Sequence, residues 1–165
     1  TQDWHPSNHI SFASTHDKEP FSKIKVVDKE TGDEETLTLL PRHCVARTYG
    51  SAIVDGLKKK KDYIYVQKGV DADDDGISGF SYMHKDFIDV ARENKEVLIL
   101  DFVGVALDHC VYYTSRDTAY YVASINAEYL VNVNVLEYAC AAVNPEKAEK
   151  LYSSTQKINI KKVRL

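Results

Sequence analysis

The second half of the chain alternates between apolar runs typical of buried strands and segments with helical spacing. The run 97–105 is nearly all apolar and β-branched, which predicts a strand buried on both faces of a parallel sheet. Apolar residues three and four positions apart predict helices at 81–94 and 110–126. Further strands are predicted at 63–67, 129–137 and 158–163, and a further helix at 145–155 with Pro145 in its first turn.

Strand and helix alternation is the pattern of right-handed βαβ units. The predicted fold class is therefore α/β, with three α/β/α layers around a mostly parallel central sheet. The first forty residues contain several prolines and glycines between polar stretches and are predicted to be mostly loop, followed by a short helix at 46–59. No repeat or linker divides the sequence, so we expect one domain over 1–165.

Charge and cysteine content narrow the function classes. A net charge of -4 and a pI near 5.8 give no global attraction for nucleic acid or an anionic membrane, so neither is an expected partner. The basic run 58–61 is interpreted as a solvated helix end. No apolar run approaches the length of a membrane span.

Three cysteines without a C-x-x-C pair favour a reducing compartment, so we expect the cytoplasm, with the nucleus as an alternative. Targeting cannot be judged upstream of Thr1.

Reactive side chains follow predicted strand ends, where sites form in open parallel sheets. Lys68 follows the strand 63–67, and Cys110 lies past the strand 97–105 at the start of a helix. A helix N-terminus and a nearby ammonium both stabilise a thiolate, and the tight turn before Cys110 aims backbone N–H groups at one point, as an oxyanion hole requires. A buried structural cysteine is the alternative interpretation of Cys110.

A second candidate site lies near the start of the chain. Asp3 and His5 are two residues apart and project to the same side of an extended segment, which suits a divalent metal with mixed nitrogen and oxygen ligands. His43 follows Pro41 and is a further candidate imidazole. His9 lies four residues beyond His5, in a segment that favours a loop. The alternative is that these histidines are bystanders, as we take His16, His84 and His109 to be.

The acidic segment 71–76 opens like a calcium-binding loop. The position that should carry a bidentate glutamate is Tyr82, and a strand rather than a helix is predicted before the loop. Calcium binding is therefore not favoured.

Four motifs occur in the order found in nicotinamidases, which are isochorismatase-like cysteine hydrolases. Asp3-Trp-His-Pro-Ser-Asn-His-Ile-Ser-Phe12 comes first, and Leu40-Pro-Arg-His-Cys-Val45 second. Lys68-Gly69 with Ser78-Gly-Phe80 follows, and then Gly104-Val-Ala-Leu-Asp-His-Cys-Val111. The chain resembles this family over most of its length, and the fungal form looks most similar.

The resemblance implies a chemistry for each matching residue. Cys110 matches the nucleophile, which forms a thioester acyl-enzyme with a carboxamide, and Lys68 matches the triad lysine. The N–H groups of Ala106 and Cys110 match the oxyanion hole, with the peptide between Val105 and Ala106 expected to be cis. The implied metal ligands are Asp3, His5 and His43, with His9 as a fourth in some relatives. The implied metal is zinc, with iron or manganese as alternatives, and it would orient the pyridine ring of nicotinamide. The products would be nicotinate and ammonia in NAD salvage.

Departures from the family pattern leave alternatives open. The triad aspartate of the family would lie upstream of Thr1, at the end of a first strand that the sequence does not contain. Leu40 and Ile77 stand where aromatic residues usually wall the ring, so a related small carboxamide is a second candidate substrate. A non-catalytic descendant that binds a metabolite or a partner protein is a third hypothesis. The role of Asp75, which matches an acidic residue near the metal, and assembly into a homo-oligomer are left open.

Overall fold

The computed structural model describes residues 1–27, 32–57, 63–83, 85–155 and 160–163. The chain falls into two compact units, Thr1–Gly76 and Ile77–Leu165. The single domain expected over 1–165 therefore stays a prediction. The basic run 58–61, the expected helix end at 59, His84 and the expected strand start at 158–159 lie outside the described residues.

The described residues of the first unit form two small sheets. Strand β1 (Gln2–Asp3) pairs in parallel with β4 (Gln67–Lys68), and β2 (Lys23–Val27) pairs antiparallel with β3 (Glu34–Thr38). The prediction that the first forty residues are mostly loop is wrong for the β2–β3 ribbon. Ile24 and Val26 alternate with exposed neighbours and are half-buried, a two-residue period that the polar composition of this segment obscures.

Two elements predicted for the first unit are wrong in type or extent. Over its described part, 46–57, the expected helix at 46–59 is a single 3-10 turn at Tyr49–Ser51, because Arg47 before this turn is left-handed and Ala52 after it is extended. The expected strand at 63–67 is reduced to Gln67–Lys68, which pair with Gln2–Asp3, and 63–66 is not in a strand. Residues with high β-propensity form a strand only where a neighbouring strand completes the hydrogen bonds.

As far as the second unit is described, it is a parallel three-stranded sheet with three α-helices. The strand order is β5 (Leu98–Val105), β6 (Val131–Ala141), β7 (Ile160–Val163), and both pairings are parallel. The helices are α1 (Asp86–Asn94), α2 (Cys110–Ser124) and α3 (Pro145–Ser154). The predicted α/β class with a mostly parallel sheet is confirmed.

Helix limits in the second unit follow local signals. α3 begins with Pro145, and the Asn144 side chain caps it by accepting from the Lys147 N–H at 3.0 Å. α1 is shorter than predicted: a 3-10 turn at Phe80–Tyr82 precedes it, and Lys95 ends it in the left-handed conformation. Within the described residues, no helix combines the length and the apolar character needed to cross a membrane.

The core of the second unit lies between the sheet and the helices. Ile88, Val122, Val131 and Val133 are buried together in one cluster of this core. The prediction that β5 is buried on both faces is wrong, because its residues alternate between half-buried and exposed along its length. A run of apolar residues does not by itself distinguish a strand covered on one face from a strand covered on both.

Candidate active site

A buried ion pair joins β1 to β4 in the first unit. Asp3 and Lys68 are direct partners in the parallel register, and the Trp4 N–H donates to the Lys68 carbonyl at 3.0 Å. Lys68 is 3% exposed; its Nζ lies 2.5 Å from Asp3 Oδ1 and donates to the Gly76 carbonyl at 2.9 Å. A lysine buried to this degree requires such compensation for its charge.

One carboxylate and two imidazoles come together beside this ion pair. Among the described residues, Asp3, His5 and His43 each offer a ligand atom, and these atoms lie within 4.8 Å of one another. The His5 N–H donates to the Cys44 carbonyl at 3.0 Å, which brings the segment after Pro41 alongside β1. The centroids of the His5 and His43 rings are therefore only 5.0 Å apart.

Backbone carbonyls set the tautomer of both imidazoles. His5 Nδ1 lies 2.9 Å from the Gly69 carbonyl, and His43 Nδ1 lies 2.8 Å from the Pro41 carbonyl. A carbonyl only accepts, so the proton of each neutral ring resides on Nδ1 and the lone pair on Nε2. Burial lowers the pKa of His5, which keeps this ring neutral. Two Nε2 donors and a carboxylate, with their Nδ1 atoms held by carbonyls, fit the usual ligand set of zinc.

Gly69 makes room for the His5 ring. It adopts φ = 61°, and a Cβ at this position would collide with the imidazole. Both the backbone conformation and the close approach therefore require glycine here.

His9 differs from the other two imidazoles. It is fully buried, and its ring centroid lies 4.1 Å from that of His5. The Ser11 N–H donates to His9 Nδ1 at 3.3 Å, which assigns the proton of the neutral ring to Nε2. Burial lowers the pKa of His9 to about 4, so the ring is neutral near pH 7. His9 does not belong to the clustered ligand atoms, and its assignment as a fourth ligand stays a prediction.

In the second unit, Cys110 begins α2 directly after a tight turn. β5 ends at Val105, and the peptide between Val105 and Ala106 is cis, as expected. The Ala106 carbonyl accepts from the N–H groups of His109 at 3.0 Å and Val111 at 3.2 Å. Cys110 is half-buried, and its Sγ donates to the Val105 carbonyl at 3.1 Å. The thiol and the first N–H groups of α2 thus share one end of β5, which is the placement needed for a nucleophile beside an oxyanion hole.

Sequence reasoning missed Asp108, which is fully buried in this turn. Its carboxylate accepts from the backbone N–H of Val143 at 2.8 Å and of Asn144 at 3.1 Å. The available signal was a charged residue two positions before the thiol. Its partners are 35 and 36 residues away along the chain, so no local pattern reveals them.

The structure also locates the acidic segment and the other candidate residues. In the acidic segment 71–76, the Asp71 and Asp74 side chains accept from the backbone N–H groups of Asp73 and Gly76, which makes them turn-forming residues. Leu40, Asp75 and Ile77 are half-buried. The first unit brings together Asp3, His5, His43 and Lys68; the second contains Ala106 and Cys110. That the Lys68 ammonium lies beside the Cys110 sulfur stays a prediction.

Known proteins are similar to this chain in sequence. No family model matches it. The nicotinamidase of Saccharomyces cerevisiae is 38% identical over 128 residues, which cover 72% of this chain and 59% of the yeast protein. The nicotinamidase of Acinetobacter baylyi is 30% identical over 173 residues, which cover 99% of this chain and 74% of that protein.

Solved structures agree with these relatives. Yeast nicotinamidase bound to the inhibitor nicotinaldehyde matches with a TM-score of 0.76 and 32% identity, covering 99% of this chain and 77% of the yeast chain. The pyrazinamidase of Pyrococcus horikoshii in complex with zinc matches with a TM-score of 0.64 and 27% identity, covering 99% and 73%. Since a relative 30% identical is matched over most of both chains, and the residues that carry the resemblance lie in the arrangement described above, the chain belongs to the nicotinamidase family.

Proposed function

We propose that the whole protein is a metal-assisted cysteine amidohydrolase that converts nicotinamide to nicotinate and ammonia. The observation that carries this proposal is the group of Asp3, His5 and His43, with both imidazoles oriented as Nε2 ligands. The names of its relatives supply the substrate. The chain spans 59% of the length of the yeast relative.

Cys110 is the proposed nucleophile. Its sulfur attacks the carboxamide carbon, while the N–H groups of Ala106 and Cys110 stabilise the developing oxyanion. Collapse of the tetrahedral intermediate breaks the C–N bond, and the thiol proton leaves with ammonia. Water then attacks the thioester; its hydroxyl completes nicotinate, and its proton returns to the sulfur. Lys68 is the proposed triad lysine, whose charge favours the thiolate.

Asp3, His5 and His43 would hold a divalent ion, for which the zinc complex of the Pyrococcus horikoshii relative favours zinc. Such an ion supplies a Lewis-acidic site for a ring nitrogen of the substrate. Burial keeps the His5 imidazole neutral by lowering its pKa, and carbonyl hydrogen bonds at Nδ1 orient Nε2 of both His5 and His43. His9 is a proposed additional ligand; it would have to exchange its Ser11 N–H contact for the other tautomer.

Ammonia release by the full-length, zinc-loaded protein tests this function. Nicotinamide should be hydrolysed faster than benzamide, which has the same carboxamide but no ring nitrogen. A preference for a ureido acid or an aliphatic amide would instead support a related carboxamide hydrolase with a pocket reshaped by Leu40 and Ile77. Absence of ammonia from every amide would contradict hydrolysis and favour a non-catalytic binding protein.

We also propose a reducing, cytoplasmic location, because Cys44, Cys110 and Cys140 are not joined in disulfides and the proposed nucleophile requires a reduced thiol. Fractionation of cells that express the protein from its own gene tests this location.

A further inference from the structure

A buried carboxylate fastens the Cys110 turn to the start of α3. Asp108 has no exposed surface, and its two carboxylate oxygens accept from two consecutive backbone N–H groups, Val143 at 2.8 Å and Asn144 at 3.1 Å. These residues connect β6 to α3, and Asn144 is the cap of α3. Asp108 therefore binds the N-terminal end of a ten-residue helix, where backbone dipoles favour a negative charge.

An imidazole and an ammonium complete the surroundings of this carboxylate. His109 Nε2 lies 3.4 Å from Asp108 Oδ2, and Lys147 Nζ lies 3.9 Å from the same oxygen. Lys147 belongs to the first turn of α3, so it contacts the carboxylate from the same side as the two N–H groups. Lys147 Nζ also lies 3.3 Å from His109 Nε2, so the charge of the carboxylate is compensated chiefly from the α3 side, by the two N–H groups and the lysine.

The same turn positions the reacting groups. The Leu107 N–H donates to the Ala141 carbonyl at 2.8 Å, so consecutive residues 107 and 108 attach the turn to the end of β6 and to the residues that follow it. Cys110 follows two residues later, and its thiol donates to the Val105 carbonyl at the other end of the turn. Loss of the carboxylate bonds would therefore leave the turn held to this side mainly by the backbone bond from Leu107.

We propose that Asp108 is a positioning residue for the hydrolysis: it sets the Cys110 sulfur and the N–H groups of Ala106 and Cys110 in a fixed mutual geometry. This inference rests on the proposed amide hydrolysis. Nucleophilic attack and oxyanion binding must be satisfied at once, and a displacement of about 1 Å can cost about 100-fold in rate. Asp108 acts through the turn and does not itself touch the substrate.

The Asp108→Asn variant tests the proposal, since an amide keeps the shape but accepts only one of the two N–H bonds. We expect kcat for nicotinamide to fall at least tenfold, with KM changed less than threefold, because the proposed metal ligands, which would hold the ring nitrogen, lie in Thr1–Gly76. Hydrogen exchange of the amides in 106–111 should accelerate at least tenfold. Asp101→Asn is the matched control: Asp101 is an exposed β5 carboxylate that accepts from the Asn134 side chain at 2.9 Å, and neither readout should change.

A second pair of variants covers the case in which Asp108→Asn does not fold. Val143→Pro removes one donor N–H and leaves the carboxylate in place, whereas Val143→Ala keeps the donor. The Val143 side chain is 67% exposed, so its loss alone should have no effect. The proline variant should show a lower kcat and faster exchange in 106–111 than the alanine variant.

The outcomes separate this inference from the proposed function. An unchanged kcat per folded molecule in Asp108→Asn, or equal kcat values in the two Val143 variants if Asp108→Asn does not fold, would overturn the positioning role. A parent protein without any amide hydrolysis would contradict the proposed function. Hydrogen exchange of the amides in 106–111 would then be the only remaining test. Faster exchange in Asp108→Asn than in the parent would support a turn held by Asp108, and unchanged exchange would overturn that role.

Discussion

Among the described residues of Thr1–Gly76 the buried side chains are mainly polar, and the two parallel strands are each two residues long. Ile77–Leu165 buries mainly apolar side chains, and its strands are longer. The first unit buries Phe12, Ala13 and Leu39 as its apolar core, but also His5, His9, Ser11, Ser51 and Lys68. The second unit follows the usual rule that a sheet is stabilised by apolar packing against helices.

The two units are therefore stabilised by different interactions. Polar groups can be buried only when their hydrogen bonds and charges are compensated. The Asp3–Lys68 ion pair and the carbonyl bonds of His5 and His43 provide part of this compensation, and a bound cation would extend it. The second unit relies on apolar packing instead, and its Cys110 is placed by the turn that follows β5.

The largest effect is expected from Cys110→Ala. Loss of a catalytic nucleophile typically costs on the order of 10⁴-fold or more in rate, so hydrolysis of nicotinamide should fall below detection in a standard ammonia assay. Zinc content should be unchanged, because the metal group belongs to the first unit. Cys44→Ala is the matched control and should remain active; equal loss in both variants would contradict the assignment of the nucleophile.

His43→Ala should remove one ligand from the Asp3, His5 and His43 group. The substitution should leave no large cavity, because His43 is only half-buried. Loss of a residue that merely orients a metal ligand already costs about 10- to 100-fold in affinity, so loss of the ligand itself should weaken zinc binding about 100-fold or more. Competition with a zinc chelator measures this affinity. His16→Ala removes a half-buried imidazole of the same unit that lies outside the group, and it should bind zinc normally.

Gly69→Ala should destabilise the protein by about 2 kcal/mol or more, because it combines left-handed strain with a collision against the His5 ring. Gly32 has φ = 76°, but a Cβ added there would meet no other atom within 4 Å. Gly32→Ala therefore isolates the strain and should cost about 1 kcal/mol. Urea unfolding of both variants measures the difference. Equal losses would show that the close approach of His5 contributes nothing.

The smallest effect concerns the other half-buried thiol of the second unit. Burial raises the pKa of the Cys140 thiol, so it stays protonated at a pH where an ordinary thiol begins to ionise. At a pH of about 8.5 its alkylation by iodoacetamide should be a few-fold slower in the folded protein than in the urea-unfolded chain, since only the thiolate reacts. Peptide mass mapping measures this rate. A faster reaction in the folded protein would contradict the direction of the pKa shift.

The sequence alone predicts the second unit better than the first. The helices that begin at Cys110 and Pro145 and the strand through Leu100 have strong local signals, namely helical spacing, a proline in the first turn and a long apolar run. In the first unit, the strand at Gln67–Lys68 exists only because Gln2 and Asp3 pair with it across more than sixty residues. Such pairing leaves no periodic trace in a two-residue strand.

The sequence likewise predicts some features of the site and not others. Motif resemblance identified Asp3, His5 and His43 as candidate ligands, and the structure brings these three together. It could not predict the carbonyls that fix the imidazole tautomers, because Gly69 lies 64 residues from His5. Nor could it predict the role of Asp108, whose partners are backbone atoms without any residue signature.

Trapping the acyl-enzyme tests the central claim most directly. The full-length, zinc-loaded protein is mixed with nicotinamide, quenched in acid during turnover and digested for mass spectrometry. We expect a nicotinoyl thioester on the peptide that contains Cys110, absent in the Cys110→Ala variant. Steady release of nicotinate with no adduct on Cys110, and with undiminished activity in that variant, would contradict it.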